Sequence, residues 1–304
     1  MSPRKIANGI QIFLFAALIY VPASYAQPTK GAAEKPPLQE KALLDTDTGF
    51  LGGEWYFSWG YNKEYWAPSD IHISQPSLDN DFTIHNVRAV DYPQWNTDGL
   101  IFDKSITTPQ YSARIGRFIN RAKTLALELN YDHTKYSSLL DQHAAVTGTI
   151  GGSPVGGNQK LTHEDFWYNL HNGANHIMIN IVQRIPFGGT SAYTKNLFFL
   201  CKEGAGIMLP HADNMILGKE NEVGEKKWGN LVGTKKGWWQ LNGVTAGVEA
   251  GLRFAIHAPF YLELTDKIAY AKLYNVPVYQ GTAAQSLWMN EIILSLGVTV
   301  NGDK

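Results

Sequence analysis

The stretch Gly243–His257 reads GVTAGVEAGLRFAIH, and it alternates almost without error. Val244, Ala246, Val248, Ala250, Leu252, Phe254 and Ile256 fall on one face of an extended chain. Thr245, Gly247, Glu249, Gly251, Arg253 and His257 fall on the other. A period of two is the signature of a strand, whereas an amphipathic helix sets its apolar residues three and four apart.

The same test works outward from this segment. Over 286–300, Trp288, Ile292, Leu294, Leu296, Val298 and Val300 oppose Glu291, Ser295, Gly297 and Thr299. Over 175–187, Ile177, Ile179, Ile181 and Ile185 oppose His176, Asn180 and Arg184. Over 122–135, Leu125, Leu127, Leu129 and Tyr131 oppose Thr124, Glu128, Asn130 and Asp132. Weaker copies occur at 54–61, 110–119 and 260–267, and 196–209 is strand-like with less clear sidedness.

Composition narrows the class. The 304 residues include 9 Trp, 15 Tyr and 13 Phe against 17% charged residues, so a large core or wall can be buried and a disordered chain is excluded. A net charge of -1 removes the electrostatic footprint of a nucleic-acid binder. One cysteine, Cys201, permits no internal disulfide and no cysteine-based zinc site. The one long apolar run, residues 10–20, follows Arg4 and Lys5 and precedes small residues at 24 and 26. At eleven residues it is shorter than the ~20 a spanning helix needs, and its layout is that of a signal peptide cleaved after Ala26. Residues 27–49 read as a flexible leader, and the folded domain is expected from residue 50 to 304.

A soluble β-sandwich and a transmembrane β-barrel both alternate in this way. Here the polar faces mix Glu and Arg with Gly, Ser and Thr, as a crowded, hydrated interior requires. Several runs reach the 9 to 11 residues that cross a bilayer at a tilt. Aromatics collect at run ends, at Trp55, Trp59, Tyr61, Trp238, Trp239 and Trp288, where interfacial girdles sit. Tight connections near Asn120 and Pro259 alternate with long ones at 91–108, 151–174 and 210–237. The expected fold is all-β: a transmembrane antiparallel up-and-down barrel of about ten strands, with eight to twelve possible.

Residues 60–73 (GYNKEYWAPSDIHI), 81–84 (DFTI), 109–116 (PQYSARIG) and 132–136 (DHTKY) resemble blocks of a family of outer-membrane β-barrel proteins of Gram-negative bacteria. The resemblance is densest over 53–136. It implies a barrel in the cell outer membrane and no established catalytic residues. Many such barrels end on an aromatic residue, whereas this sequence continues past Val300 to Asn301, Gly302, Asp303 and Lys304.

If the alternation holds, the inner face collects Glu54, Arg114, Glu128, Arg184, Glu249, Arg253, Glu263, Lys267 and Glu291. Five carboxylates facing four cations make either an ion-selective lining or a set of paired charges plugging the lumen. A barrel this small favours the plug, because open aqueous channels belong to barrels of about 16 strands or more. Asp70, His72 and Ser74 share one face of an extended chain, and those residue types could supply the orienter, base and nucleophile of an ester hydrolase. The His-x-Ser spacing is similar to that of outer-membrane lipid A deacylases. Residues 163–176 (HEDFWYNLHNGANH) hold His163, Glu164, Asp165, His171 and His176, but the spacing suits neither helical nor same-face strand ligation. They read as a polar loop entering a strand, with no metal and no cofactor. Lys226, Lys227, Lys235 and Lys236 lie in a mixed-charge loop that could touch lipopolysaccharide phosphates. The glycines at 151–157 lack the Lys and helix of a phosphate-binding loop and read as a flexible loop.

The expected role is therefore a structural or surface-interacting outer-membrane barrel, with a barrel-embedded lipid hydrolase or a narrow solute channel as alternatives. Expected partners are outer-membrane lipids, lipopolysaccharide among them, and the barrel-insertion machinery, with an external ligand unidentified.

Overall fold

The computed structural model describes residues 53–92, 109–170, 173–222 and 239–300. The expected signal peptide, the leader, the lysine-rich part of the 210–237 loop and the last four residues lie outside them. In chain order the strands are β1 (Trp55–Trp66), β2 (Ser69–Gln75), β3 (Asn80–Val87), β4 (Ala89–Val90), β5 (Tyr111–Phe118) and β6 (Leu125–His133). Next come β7 (Tyr136–Ser138), β8 (Gln142–Ile150), β9 (Ser153–Val155), β10 (Asn158–Leu161), β11 (Phe166–Leu170) and β12 (Ala174–Pro186). The last are β13 (Leu197–Pro210), β14 (Asp213–Ile216), β15 (Lys219–Glu220), β16 (Gly243–His257), β17 (Phe260–Val278) and β18 (Gly281–Val300).

Eight of these, β1, β5, β6, β12, β13, β16, β17 and β18, pair antiparallel with their neighbours in chain order, and β18 pairs back onto β1 over twelve residue pairs. The wall is therefore a closed up-and-down barrel of eight strands, at the lower bound of the expected range. The remaining strands pair outside the ring. Following partners around the ring from Phe260 through Val298, Phe57, Ile115, Leu129, Ile179, Ala205 and Ala246 returns to β17 at Tyr270, ten residues further on. That stagger tilts the strands by about 40°. From Phe260 to Ile268 the outer face of β17 then rises roughly 20 Å at ~3.3 Å per residue, somewhat less than the ~25 Å apolar band of an outer-membrane-type barrel.

The outer wall is apolar, as the alternation predicts: Ile179 is 65% and Val248 58% exposed, with Leu129, Leu264, Leu294 and Leu296 exposed beside them. Glu203 and Asp266 also face outward, and the Asn290 amide donates to Asp266.

The upper parts of β17 and β18 exchange the polarity of their two faces while the same alternate positions stay inward. Toward the base Glu263, Thr265, Lys267, Glu291 and Ser295 point in while Leu262, Leu264, Ile292 and Leu294 point out. Higher up, Ala269, Ala271, Leu273, Met289, Leu287 and Ala283 point in while Lys272 and Ser286 point out. Trp288 and Tyr270, with ring centroids 5.1 Å apart, mark the exchange on the outside.

Above this level stands a cap. The top of β18 pairs with β2, and the sheet continues through β3, β8 and β10. A second sheet, ordered β15-β14-β11-β7-β4, is built from the same long connections. Ile71, Ile73, Phe82, Ile84, Val146, Tyr136, Tyr168, Leu170, Ile216 and Leu273 belong to one buried apolar cluster drawn from both sheets and the barrel top. The connections expected to be long loops at 151–174 and 210–237 thus contain β9 to β11 and β14 to β15. The connections at the opposite end are 119–124, 258–259 and 187–196, the last holding a one-turn helix, Ala192–Lys195. Between β5 and β6 the Asn120 side chain accepts from the Thr124 and Leu125 amides at 2.9 and 3.0 Å, which satisfies donors the turn would otherwise strand.

Candidate functional site

The inner face of the barrel is where the charged residues converge. Of the nine side chains expected there, Arg114, Glu128, Glu249, Arg253, Glu263, Lys267 and Glu291 are buried at 5% exposure or less. Glu54 lies at the rim instead, 2.6 Å from Lys123 on the β5–β6 turn. Arg184 is inward but has aromatic neighbours, its guanidinium 4.4 Å from the Phe118 ring centroid and 4.5 Å from that of Phe198. Asp132 and Lys202 complete the network: Asp132 is a polar position in the alternation of β6, and Lys202 sits in the segment of unclear sidedness.

The contacts run in tiers. Arg114 Nη1 donates to Glu128 at 3.0 Å and to Glu249 at 2.9 Å, its Nε donates to Ser112 at 3.1 Å, and Nη2 lies 3.6 Å from Asp132. Lys202 Nζ donates to Glu263 at 2.5 Å and lies 3.2 Å from Glu249 and 3.4 Å from Glu128. Arg253 grips one oxygen of Glu263 through Nε at 2.9 Å and Nη2 at 2.8 Å. Its guanidinium also lies 4.6 Å from the Tyr56 centroid and 4.2 Å from that of Tyr261. Lys267 Nζ donates to Asp132 at 2.5 Å and lies 3.4 Å from Glu291. Neutral groups fill remaining valences: Tyr56 donates its hydroxyl to Glu128 at 3.0 Å, and the Asn180 amide is shared between Glu128 and Asn130.

This ionic layer lies between two apolar ones. Above is the cap cluster. Below, Tyr56, Phe118, Ala126, Val182, Leu200 and Tyr261 form a separate buried cluster at the turn end. Gly116 makes room for it, since a Cβ there would stand 2.1 Å from the Tyr56 ring. Charges confined this way are costly to desolvate, so each is retained only because its partners are already in place.

The Asp70, His72 and Ser74 side chains share the outward face of β2, as alternation requires. Their hydrogen bonds lead across strands. His72 Nε2 meets Asp81 at 2.7 Å, and Asp70 meets His85 Nδ1 at 2.9 Å while accepting from the Asn86 amide at 2.8 Å. His85 Nε2 in turn meets Thr147 on β8 at 2.8 Å. The histidines therefore tie β2, β3 and β8 together. A cleft of about 510 Å³ opens where β2 leaves β18, lined by Pro68, Asp70, His72, Lys272 and Ser286 among others.

Partial burial alone would raise the Asp70 carboxyl, but the Asn86 amide and the His85 ring outweigh it and hold it below its ordinary range. The fold thus favours ionised Asp70. That contribution is complete above the ordinary carboxyl pKa of about 4 and is lost as pH falls through the lower folded-state value. Hydrogen-exchange protection of the Asn86 amide is expected to drop on acidification through that window. In Asp70→Asn it should be low and flat, and an unchanged wild-type profile would refute the linkage.

The histidines of 163–176 disperse. His163 is exposed beside Glu164 at 3.1 Å, His176 is buried in the lumen with Nδ1 2.9 Å from Thr245 Oγ1, and His171 lies outside the described residues. Between them, Phe166, Tyr168 and Leu170 point into the cap core from β11. No group of three or more His, Cys, Asp or Glu side chains surrounds a common metal position among the described residues.

No family model and no curated protein matches the sequence. Solved structures that it is similar to include the outer membrane protein OprG from Pseudomonas aeruginosa, at 11% identity over 83% of this chain and 98% of that one, TM-score 0.35. They also include the outer membrane protease OmpT from Escherichia coli, at 7% identity over 84% and 100%, TM-score 0.35. A third is the outer membrane protein AlkL in lipid bilayers, at 10% identity over 91% and 97%, TM-score 0.35. At such identities and scores the likeness is one of general architecture alone.

Proposed function

We propose that this protein is an outer-membrane β-barrel with a closed lumen, whose work is done at the cell surface by its cap, as a structural or surface-interacting element. The observation that carries this reading is the two-sheet cap, which packs a dry core directly over the barrel end and turns its polar faces outward. A protein built for passage leaves water-filled space along its axis. Here the axis meets an apolar cluster, an ion-paired layer and a second apolar cluster in succession. On this reading the short turns face the periplasm, the cap stands outside, and the Trp288–Tyr270 pair lies at the outer interface, in contact with lipopolysaccharide and other lipids. Delivery is by a cleaved signal peptide, followed by the barrel-insertion machinery.

The test is electrical. Reconstituted into planar bilayers at the density of an open porin control, the protein is expected to pass no steady current. A stable ohmic conductance per inserted molecule would overturn the closed lumen and restore the channel.

A further inference from the structure

The ionic layer does not balance. Its interlinked carboxylates are Glu64, Glu128, Asp132, Glu249, Glu263 and Glu291, and its cations are Arg114, Lys202, Arg253 and Lys267, leaving a surplus of two negative charges. The surplus is localised. Glu128, Glu249 and Glu263 are matched by Arg114, Lys202 and Arg253, whereas Glu291 and Asp132 share Lys267, with Arg114 at 3.6 Å from Asp132, and both carboxylate oxygens of Glu64 lack a hydrogen-bond partner.

Glu64 and Glu291 stand directly opposite each other on paired strands, at 2% and 0% exposure. Both carboxylate oxygens of Glu64 and the Asn62 side-chain oxygen lack a hydrogen-bond donor, and Glu291 Oε2 has the Lys267 ammonium at 3.4 Å without hydrogen-bond geometry. Asn62 is 1% exposed, two residues before Glu64 on the same inner face, and spends its amide on Glu291 Oε1 at 2.5 Å. Three neighbouring residues therefore present three acceptor oxygens with neither donor nor cation and a fourth that only Lys267 approaches, in a layer whose formal charge is two cations short. A buried carboxyl stays charged only when paired or coordinating a metal, and otherwise takes up a proton.

We propose that Asn62, Glu64 and Glu291 form a site for one hard divalent cation, of the Mg²⁺ type, beneath the cap. An oxygen-only donor set excludes the softer transition metals as the preferred occupant. Two carboxylates and an amide are few for a Ca²⁺ cage but match the small protein share that Mg²⁺ takes while keeping waters. One such ion restores neutrality to the layer and ties β1 to β18, the seam that closes the barrel. With apolar clusters above and below, the ion enters during folding and exchanges slowly afterwards.

The experiment measures bound metal in the full protein purified in detergent and passed through a chelating resin. Wild type is expected to retain about one Mg²⁺ per chain, and Glu64→Gln and Glu291→Gln well under a tenth of that. Refolding wild type with EDTA should give a protein whose Tm lies several degrees lower and is restored by refolding with Mg²⁺, while Glu64→Gln is indifferent to both. Metal-free wild type with a Tm insensitive to Mg²⁺ would overturn the site, whether or not the variants fold. So would a carboxylic-acid infrared band at neutral pH that Glu64→Gln abolishes, since the charges would then be neutralised by protons. Neither readout depends on any surface role.

Discussion

Arg114→Met is expected to lose about 3–5 kcal/mol of stability in urea titrations of the micellar protein, the usual cost of orphaning a buried charge partner. Arg114 lies within 3.6 Å of oxygens of Glu128, Glu249 and Asp132, at 4% exposure, so its removal strands carboxylates that have no route to water. The damage is electrostatic rather than steric, which gives a sharp companion test. Arg114→Met combined with Glu249→Leu removes one charge of each sign, and Lys202 keeps Glu263 at 2.5 Å and Glu128 at 3.4 Å. The pair is expected to recover more than half of the loss, a coupling on the order of 2 kcal/mol by double-mutant cycle. Additive losses would mean that Arg114 acts through packing instead.

Phe82→Ala is the second large effect, and it acts on the cap. Phe82 is 3% exposed, pairs with Ile73 on β2 and Gly148 on β8, and belongs to the cluster shared by both sheets. Truncating a buried Phe leaves a cavity and costs about 3–5 kcal/mol. Because the eight-strand ring has its own ladder and its own lower cluster, the loss is expected to appear as protease sensitivity in residues 69–90 and 136–170. The ring strands should stay protected. A single shared transition, with ring and cap digested together, would show that the two form one cooperative unit.

Much of the wall is legible in the sequence, and the reason is geometric. Along Gly243–His257 one face meets lipid and the other meets a charged interior for the full length, so the contrast between Val248 and Glu249 never lapses. The contrast fails where the surroundings change. In β13, Leu200 points inward to the lower apolar cluster while Phe199 points outward, so both faces are apolar there and the inward Lys202 two residues later gives no sided pattern to join. The side of Arg184 is readable but its company is not, since Phe118 and Phe198 reach it from two other strands. The cap escapes notice because its strands are short and lie among residues that also suggest other chemistry. Phe166, Tyr168 and Leu170 alternate cleanly, yet they are surrounded by His163, Glu164, Asp165 and His171. Asp70, His72 and Ser74 do share a face, but which acid each histidine meets depends on the register of β2 against β3, including a shift between Ser69 and Ile71.

The exchange of polarity on β17 and β18 also serves as a depth gauge. Sinking the barrel would press the outward Lys272 and Ser286 among acyl chains, and lifting it would bring the outward Leu264 and Ile292 into water. Vertical misplacement is penalised in both directions on the same pair of strands, so these two segments help set how far the whole molecule stands out from the bilayer.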